Sequence, residues 1–276
     1  MKKAICFCQK IKMGLNFLCV TLKLFGSWGI KRAMKNFIWV LFFLGGCAAF
    51  EFPSTYSYRE IETSDFKIAA WQKITNPNGL YRIYIEGDGY AFNAHGYPTN
   101  DPTPKSDLFR KMVLSDNSPN VIYLARPCQY VKNSQCSQKY WTTARFAPEV
   151  IDAEYEAIRE LTHGSPVELI GFSGGAQIAG LMAVTKDIKV KRIITIAGNL
   201  DHRAWTEYHH LPPLRESLNL ADYGKAFMRF NQIHYVGEDD EVIPFILTQK
   251  FVQNNSLVKI VPKATHNKGW DNFKIK

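Results

Sequence analysis

The sequence lacks the features that would indicate binding of nucleic acid or of a metal ion. Its formal net charge is +9, but eight of its 34 Lys and Arg residues lie in residues 1–46, which contain no Asp or Glu. The rest of the chain therefore has 26 basic and 25 acidic residues, and it shows no basic stripe with interleaved aromatics. We expect no nucleic-acid partner. We also expect no metal ion, because Cys128 and Cys136 have no nearby histidine and cannot complete a tetrahedral site. No other cofactor is expected.

The sequence also lacks an apolar run of about 20 residues, the length that a membrane-spanning helix requires. In its longer apolar patch, residues 37–44 follow Lys35 and precede Gly45, Gly46 and Cys47. A basic residue, a short apolar run and small residues at a cleavage point, in this order, are typical of a secretion signal. Residues 1–46 are therefore predicted to be a leader.

The end of this leader, LGGC, resembles the lipobox of bacterial lipoproteins. The resemblance implies that Cys47 carries a lipid and becomes the first residue of the mature protein. The lipid would anchor the protein to a membrane of the bacterial cell envelope, facing the periplasm or the exterior. Met34, near the start of the apolar run, is our preferred start of translation. An uncleaved membrane anchor and a cleaved soluble form are the other interpretations.

Cysteine is scarce in the remainder of the chain, where Cys128 and Cys136 are the only two beyond Cys47. They bound a short polar segment that a disulfide could close in an oxidising compartment. We therefore predict a disulfide between them. Two unrelated free thiols are the alternative.

Beyond a tether predicted at residues 47–64, strand-like and helical patterns alternate along one predicted domain, residues 65–276. Such alternation predicts an α/β fold, a mostly parallel central sheet with helices on both faces. Residues 199–223 are long for a connection and are predicted to form a small cap over the site. The main predicted strands are 66–71, 80–86, 121–124, 167–172, 190–197, 232–236 and 256–261, and the predicted helices are 107–114, 148–161, 176–185 and one from residue 244.

The strongest motif is GFSGG, in which Gly171, Ser173 and Gly175 form G-x-S-x-G between an apolar strand and a helix. A tight turn from strand to helix exposes the serine and requires small neighbours. The start of the helix also directs backbone N–H groups and a positive dipole toward negative charge forming at the serine. Ser173 is the predicted nucleophile, and a glycine-rich turn of purely structural use is the alternative.

A serine hydroxyl needs a base, and the base needs an acid to orient it. Two later predicted strands are followed by the segments GEDDEVIP and ATHNKGW, which place an Asp and then a His after Ser173. These segments and their order resemble the α/β-hydrolase superfamily. The resemblance covers about residues 66–270. The resemblance implies that Asp240 is the acid and His266 the base. Asp239 and Asp201 are the other candidates for the acid, and a solvated loop histidine is the alternative for His266.

The oxyanion hole implied by the resemblance combines two backbone N–H groups. One belongs to Gly174, which follows the nucleophile. The other comes from the loop EGDG, at the position where many relatives have a His-Gly motif, with Asp88 as the first choice and Gly89 as the second. A simple turn is the alternative interpretation of this loop. A calcium-binding loop is not expected, because the segment lacks the remaining ligands of an EF-hand pattern.

These residues predict a serine hydrolase that cleaves a carboxylic ester of a small-molecule acyl substrate through an acyl-enzyme. The triad is shared by serine peptidases and thioesterases, so these activities stay open. A non-catalytic envelope protein that uses the fold as a binding platform is the alternative from a different class.

Overall fold

The computed structural model describes residues 50–271 and 273–275, and in these residues eight strands form one sheet. The strands are β1 (Ser57–Glu62), β2 (Lys67–Ile74), β3 (Tyr81–Ile85), β4 (Asn120–Leu124), β5 (Val167–Phe172), β6 (Val190–Ile196), β7 (Gln232–Gly237) and β8 (Val258–Val261). Their order in the sheet is β1-β2-β4-β3-β5-β6-β7-β8. The β1–β2 and β2–β4 pairs are antiparallel, and the other neighbouring pairs are parallel. The mostly parallel sheet is thereby confirmed.

Helices follow most of the parallel strands, as a sheet with right-handed crossovers requires. They are α1 (Leu108–Leu114), α2 (Pro148–Thr162), α3 (Gly175–Thr185), α4 (His202–Tyr208), α5 (Gly224–Phe227) and α6 (Phe245–Val252). In the described residues no helix has the length and apolar character needed to cross a membrane. The leader, Met34 and Cys47 lie outside the described residues.

Two hydrophobic cores lie on the opposite faces of the sheet, because successive strand side chains point to opposite sides. In β5, Leu169 belongs to the core that α2 and α3 cover, whereas the next residue, Ile170, belongs to the core that α1 covers. Ile193 and Ile194 of β6 divide in the same way. Helices therefore cover both faces, as the alternating pattern predicts.

The predicted tether is wrong over residues 57–62, which form β1 at the edge of the sheet. Ile61 is the fully buried residue of this strand and pairs with Ile68 of β2, while its neighbours are mostly exposed. An edge strand needs few apolar residues, and its charged side chains protect the open edge from pairing with other chains. The polar composition that suggested a tether is therefore that of an edge strand.

The carboxyl ends of the parallel strands gather the loops from which the candidate site is built. These loops are residues 86–89 after β3, 125–129 after β4, 173–174 after β5, 238–243 after β7 and 262–267 after β8.

Candidate active site

Ser173 lies in the sharp turn between β5 and α3, with a backbone φ of 51°. This left-handed conformation is strained for a residue with a side chain and is tolerated where the surrounding structure holds it. The turn needs a neighbour without a side chain, because a Cβ on Gly175 would collide with the backbone carbonyl of Ile85. Gly175 is therefore required by the close packing of this turn on β3, and Gly171 by the start of α3, because a Cβ on Gly171 would collide with the backbone of Gly175 and Ala176.

The structure brings Ser173, His266 and Asp240 into one hydrogen-bonded chain. The oxygen Oγ of Ser173 lies 3.0 Å from Nε2 of His266, and Nδ1 of His266 lies 2.9 Å from Oδ2 of Asp240. Because a carboxylate only accepts hydrogen bonds, Nδ1 carries the ring proton and donates a hydrogen bond to Asp240. Nε2 is then free to accept from the serine hydroxyl. This is the geometry of a nucleophile, a base and an orienting acid.

Asp240 is buried and held in a fixed orientation by its own loop. Its Oδ1 accepts hydrogen bonds from the backbone N–H groups of Val242, at 2.9 Å, and of Ile243, at 2.8 Å. These two bonds leave Oδ2 directed at His266. The carboxylate is therefore positioned by the backbone that follows β7.

The other two candidates for the acid lie elsewhere. Asp201 is the N-cap of α4, where its side chain accepts from the N–H groups of Arg203 and Ala204. Asp239 is exposed on the surface. Neither side chain is hydrogen-bonded to His266.

The loop that carries His266 is braced from both sides. The imidazole packs against the ring of Phe172, with 5.3 Å between ring centroids. The indole Nε1 of the buried Trp270 donates a hydrogen bond to the carbonyl of Thr265, at 2.8 Å. These contacts hold the imidazole between Ser173 and Asp240.

The candidate oxyanion donors, Gly174 and Asp88, lie side by side. A Cβ on Gly174 would collide with the carboxylate of Asp88, and a Cβ on Gly87 would lie 3.0 Å from Cβ of Ser173. Among the hydrogen bonds of the described residues, none uses the backbone N–H of Gly174 or of Asp88. The N–H of Gly87, in contrast, donates to Oε1 of Glu86 at 2.9 Å. Gly174 and Asp88 can therefore supply two donors next to the nucleophile.

Gly89, the second choice for the same role, lines the cavity but faces other neighbours. Its backbone φ is +65°, and a Cβ there would collide with the carbonyl of Pro102 and lie 2.7 Å from Nε2 of Gln129. Glycine is thus required at this position by the turn and by its close packing. Gly89 is therefore packed against Pro102 and Gln129, whereas Asp88 is the residue of this loop that contacts Gly174.

Two arginines that the sequence analysis missed neutralise the carboxylate of Asp88. Arg145 Nη1 lies 2.6 Å from Asp88 Oδ2, and Arg126 Nη1 lies 3.4 Å from Oδ1. Burial would raise the pKa of Asp88, but the two guanidinium groups outweigh it and hold the pKa below its ordinary value. Without them, an ionised carboxylate beside Gly174 would repel the oxyanion. Arg126 could have been noticed as a charged residue two positions beyond the end of β4.

A cavity of about 300 Å³ opens at Ser173. Its apolar walls include the rings of Phe92, Phe109, Phe172 and Trp205. Trp205 belongs to the segment predicted as a cap, and its Nε1 donates to the carbonyl of Val242 at 2.7 Å. The cap segment therefore closes one side of the cavity through α4. Within residues 50–271 and 273–275, no group of three or more His, Cys, Asp or Glu is arranged to hold a metal ion.

Cys128 and Cys136 form the predicted disulfide, with 5.6 Å between their Cα atoms. The bond closes the loop that leads away from β4. It therefore lies one residue from Gln129, which contacts the loop containing Asp88.

No family model and no curated protein matches this sequence. By structure, the chain is similar to an esterase of Pyrococcus furiosus, with a TM-score of 0.53 and 17% identity over 82% of this chain and 90% of that one. It is also similar to Est1E from Butyrivibrio proteoclasticus, with a TM-score of 0.53 and 13% identity over 76% of this chain and 90% of that one. A third similar structure is a thioesterase domain from the curacin biosynthetic pathway, with a TM-score of 0.51 and 12% identity over 77% of this chain and 94% of that one. Together with the strand order, these likenesses show that the chain has the α/β-hydrolase fold.

Proposed function

We propose that this protein is a serine hydrolase that cleaves a carboxylic ester through an acyl-enzyme. The observation that carries the proposal is the continuous chain of hydrogen bonds from Ser173 through His266 to Asp240. Each group has the partner that its role requires, and the nucleophile faces an open cavity.

In the first half of the reaction, Oγ of Ser173 attacks the ester carbonyl carbon while Nε2 of His266 takes the hydroxyl proton. The carbonyl oxygen becomes an oxyanion, which accepts hydrogen bonds from the N–H groups of Gly174 and Asp88. The imidazolium then gives its proton to the leaving alcohol oxygen as the C–O bond breaks. Asp240 stabilises the imidazolium but keeps no proton.

In the second half, water replaces the alcohol. His266 takes a proton from the water, whose oxygen attacks the acyl carbon of the ester formed with Ser173. The second oxyanion forms in the same site and collapses when Oγ leaves and regains the proton from His266. A carboxylic acid is released, and the enzyme returns to its starting state.

An ester of modest size is the substrate that the cavity supports best. A volume of about 300 Å³ lies at the lower end of small-molecule sites, and the ring-lined walls suit an apolar or aromatic acyl group. One similar structure is an esterase, and another, Est1E, has been solved with ferulic acid bound. Similarity to a thioesterase domain and to an acylaminoacyl peptidase from Pyrococcus horikoshii makes thioesters and amides the competing substrates to test.

We further propose that the enzyme works at the bacterial cell envelope, anchored to a membrane by a lipid on Cys47. The LGGC motif and the short apolar run before it support this placement. The disulfide between Cys128 and Cys136 supports it independently, because such bonds persist in oxidising compartments outside the cytosol.

The test uses the full-length protein and the variant Ser173→Ala. A fluorophosphonate probe should label the wild type, which should also hydrolyse 4-nitrophenyl esters of graded chain length. Ser173→Ala should lose labelling and keep less than about a thousandth of the activity, because losing a triad serine costs several orders of magnitude. The matched control is Ser57→Ala on the exposed edge strand. Faster turnover of matched thioesters or amides would redirect the assignment, and an unlabelled wild type would overturn it.

A further inference from the structure

One glutamine side chain holds the loop that contains the second oxyanion donor. Gln129 is buried at 1% exposure, just beyond β4. Its Nε2 donates a hydrogen bond to the carbonyl of Gly87 at 3.0 Å, and its Oε1 accepts from the backbone N–H of Arg126 at 3.0 Å. The side chain therefore links the loops that follow β3 and β4.

The bond to Gly87 fixes a whole peptide group. The carbonyl of Gly87 and the N–H of Asp88 belong to the same planar trans peptide, in which the C=O and N–H bonds point in opposite directions. With its oxygen held toward Gln129, this peptide must direct the N–H of Asp88 away from Gln129. A Cβ on Gly87 would lie 3.0 Å from Cβ of Ser173, and the carboxylate of Asp88 lies against Gly174, so the peptide that carries this N–H borders the nucleophile.

We infer that Gln129 is a positioning residue for the oxyanion hole: it holds the peptide between Gly87 and Asp88 in the orientation that donates to the substrate. The inference rests on the proposed ester hydrolysis. Without the bond from Gln129, the peptide is free to rotate and to turn its carbonyl oxygen toward the nucleophile, where it would repel the oxyanion. Gln129 does not line the cavity, so it acts through the loop and not on the substrate.

The backbone around Gln129 is itself held in place. Cys128 and Tyr130 on either side have positive φ values of 69° and 61°, which residues with side chains rarely adopt. Cys128 is tied to Cys136 by the disulfide, and the N–H of Tyr130 donates to Oγ1 of Thr103 at 2.9 Å. These attachments maintain a strained backbone that directs the glutamine side chain at Gly87.

The role predicts a particular kinetic effect. Removing one oxyanion donor costs about 10²–10³ in kcat, so misorienting it should cost about 10- to 100-fold. Substrate binding should change little, because the donor acts on charge that develops only in the transition state. We therefore expect kcat to fall while KM stays within about threefold of the wild type.

The experiment compares the full-length protein with three variants at pH 8. Gln129→Ala removes the side chain. Gln129→Met keeps the length of the side chain but has no N–H or O–H that could donate to the carbonyl of Gly87. Gln135→Ala is the control, because Gln135 is an exposed glutamine within the same disulfide loop.

Each protein is assayed with 4-nitrophenyl butyrate, and active sites are counted by fluorophosphonate titration so that unfolded molecules do not enter kcat. A trifluoromethyl ketone, whose adduct with the serine carries an oxyanion, measures transition-state affinity. We expect both Gln129 variants to lose at least tenfold in kcat and a similar factor in affinity for the ketone, with Gln135→Ala unchanged.

An unchanged kcat per active site in either Gln129 variant would overturn the inference, and so would a rise in KM at constant kcat. Loss of kcat with undiminished affinity for the ketone would also overturn it, because the oxyanion site would then be intact. A wild type that hydrolyses no ester would instead refute the proposed function. The two failures are therefore distinguishable.

Discussion

The identity of the catalytic acid can be tested by Asp240→Asn, which changes one atom of the site. In the wild type, Oδ1 accepts from the N–H groups of Val242 and Ile243, and Oδ2 accepts from Nδ1 of His266. Because two N–H donors require an oxygen, the asparagine amide should keep Oδ1 in its place and present Nδ2 to the histidine. The altered group is then a donor 2.9 Å from Nδ1.

This donor reverses the proton arrangement of the imidazole. Nδ1 of His266 must accept from the asparagine, so the ring proton moves to Nε2, which then cannot take the proton of Ser173. The same tautomer change in a Ser-His-Asp triad lowers kcat about 10⁴-fold while leaving the geometry intact. We expect a loss of that order for Asp240→Asn, measured as kcat per active site with 4-nitrophenyl butyrate, and an unchanged far-UV circular dichroism spectrum.

Two matched substitutions complete the experiment. Asp239→Asn alters an exposed side chain and should leave kcat within about twofold of the wild type. Asp201→Asn should also be mild, because asparagine caps a helix N-terminus about as well as aspartate. If Asp201→Asn or Asp239→Asn proved more damaging than Asp240→Asn, the assignment of the acid would be wrong.

Two further outcomes are expected from the structure, and a third from the LGGC motif of the sequence. Replacing Cys128 and Cys136 together by serine should lower the free energy of unfolding by about 2–3 kcal/mol for a loop of about nine residues, and urea unfolding without any such loss would contradict the estimate. Burial raises the pKa of Glu154 to about 8, against the attraction of Arg126. The folded state therefore keeps a proton that the unfolded state releases, and stability should fall as the pH rises from about 4.5 to 8. Glu154→Gln should lose less stability than the wild type between pH 5.5 and pH 8.5, as measured by urea unfolding. An equal loss of stability in the two proteins would show that Glu154 does not cause the pH dependence. If Cys47 is acylated, detergent should release the protein from membranes and carbonate should not, and mass spectrometry showing an unmodified Cys47 behind an intact leader would refute the anchor.

The strand and helix order was predictable because buried parallel strands and amphipathic helices leave strong apolar patterns in the sequence. β5 was predicted at Val167–Phe172, as observed, and α3 was predicted one residue short of its start at Gly175. β1 was missed because an edge strand with a single fully buried residue, Ile61, has no such pattern. The sequence signal is therefore strong where both faces of an element are buried and weak at the edge of the sheet.

The residues of the triad could be named from the sequence because each follows a strand in a recognisable segment. Choosing Asp240 over Asp239 and Asp201 relied on the resemblance, and the hydrogen bond to His266 is a property of the folded chain. Ser173 and His266 are 93 positions apart, so only the sheet, which brings the ends of β5 and β8 to one edge, makes their contact possible.

The surroundings of the proposed oxyanion site were decided by tertiary structure alone. Gln129 and Gly87 are 42 positions apart, and Arg145 and Asp88 are 57 positions apart. No periodicity or short motif encodes such pairs, because their partners are set by how the loops after β3 and β4 pack together. The sequence by itself determined the fold class and the candidate reactive side chains, since apolar patterns and strand-end positions are local properties. The orientation of a peptide and the neutralisation of a buried carboxylate depend on contacts between distant segments, and these exist only in the folded protein.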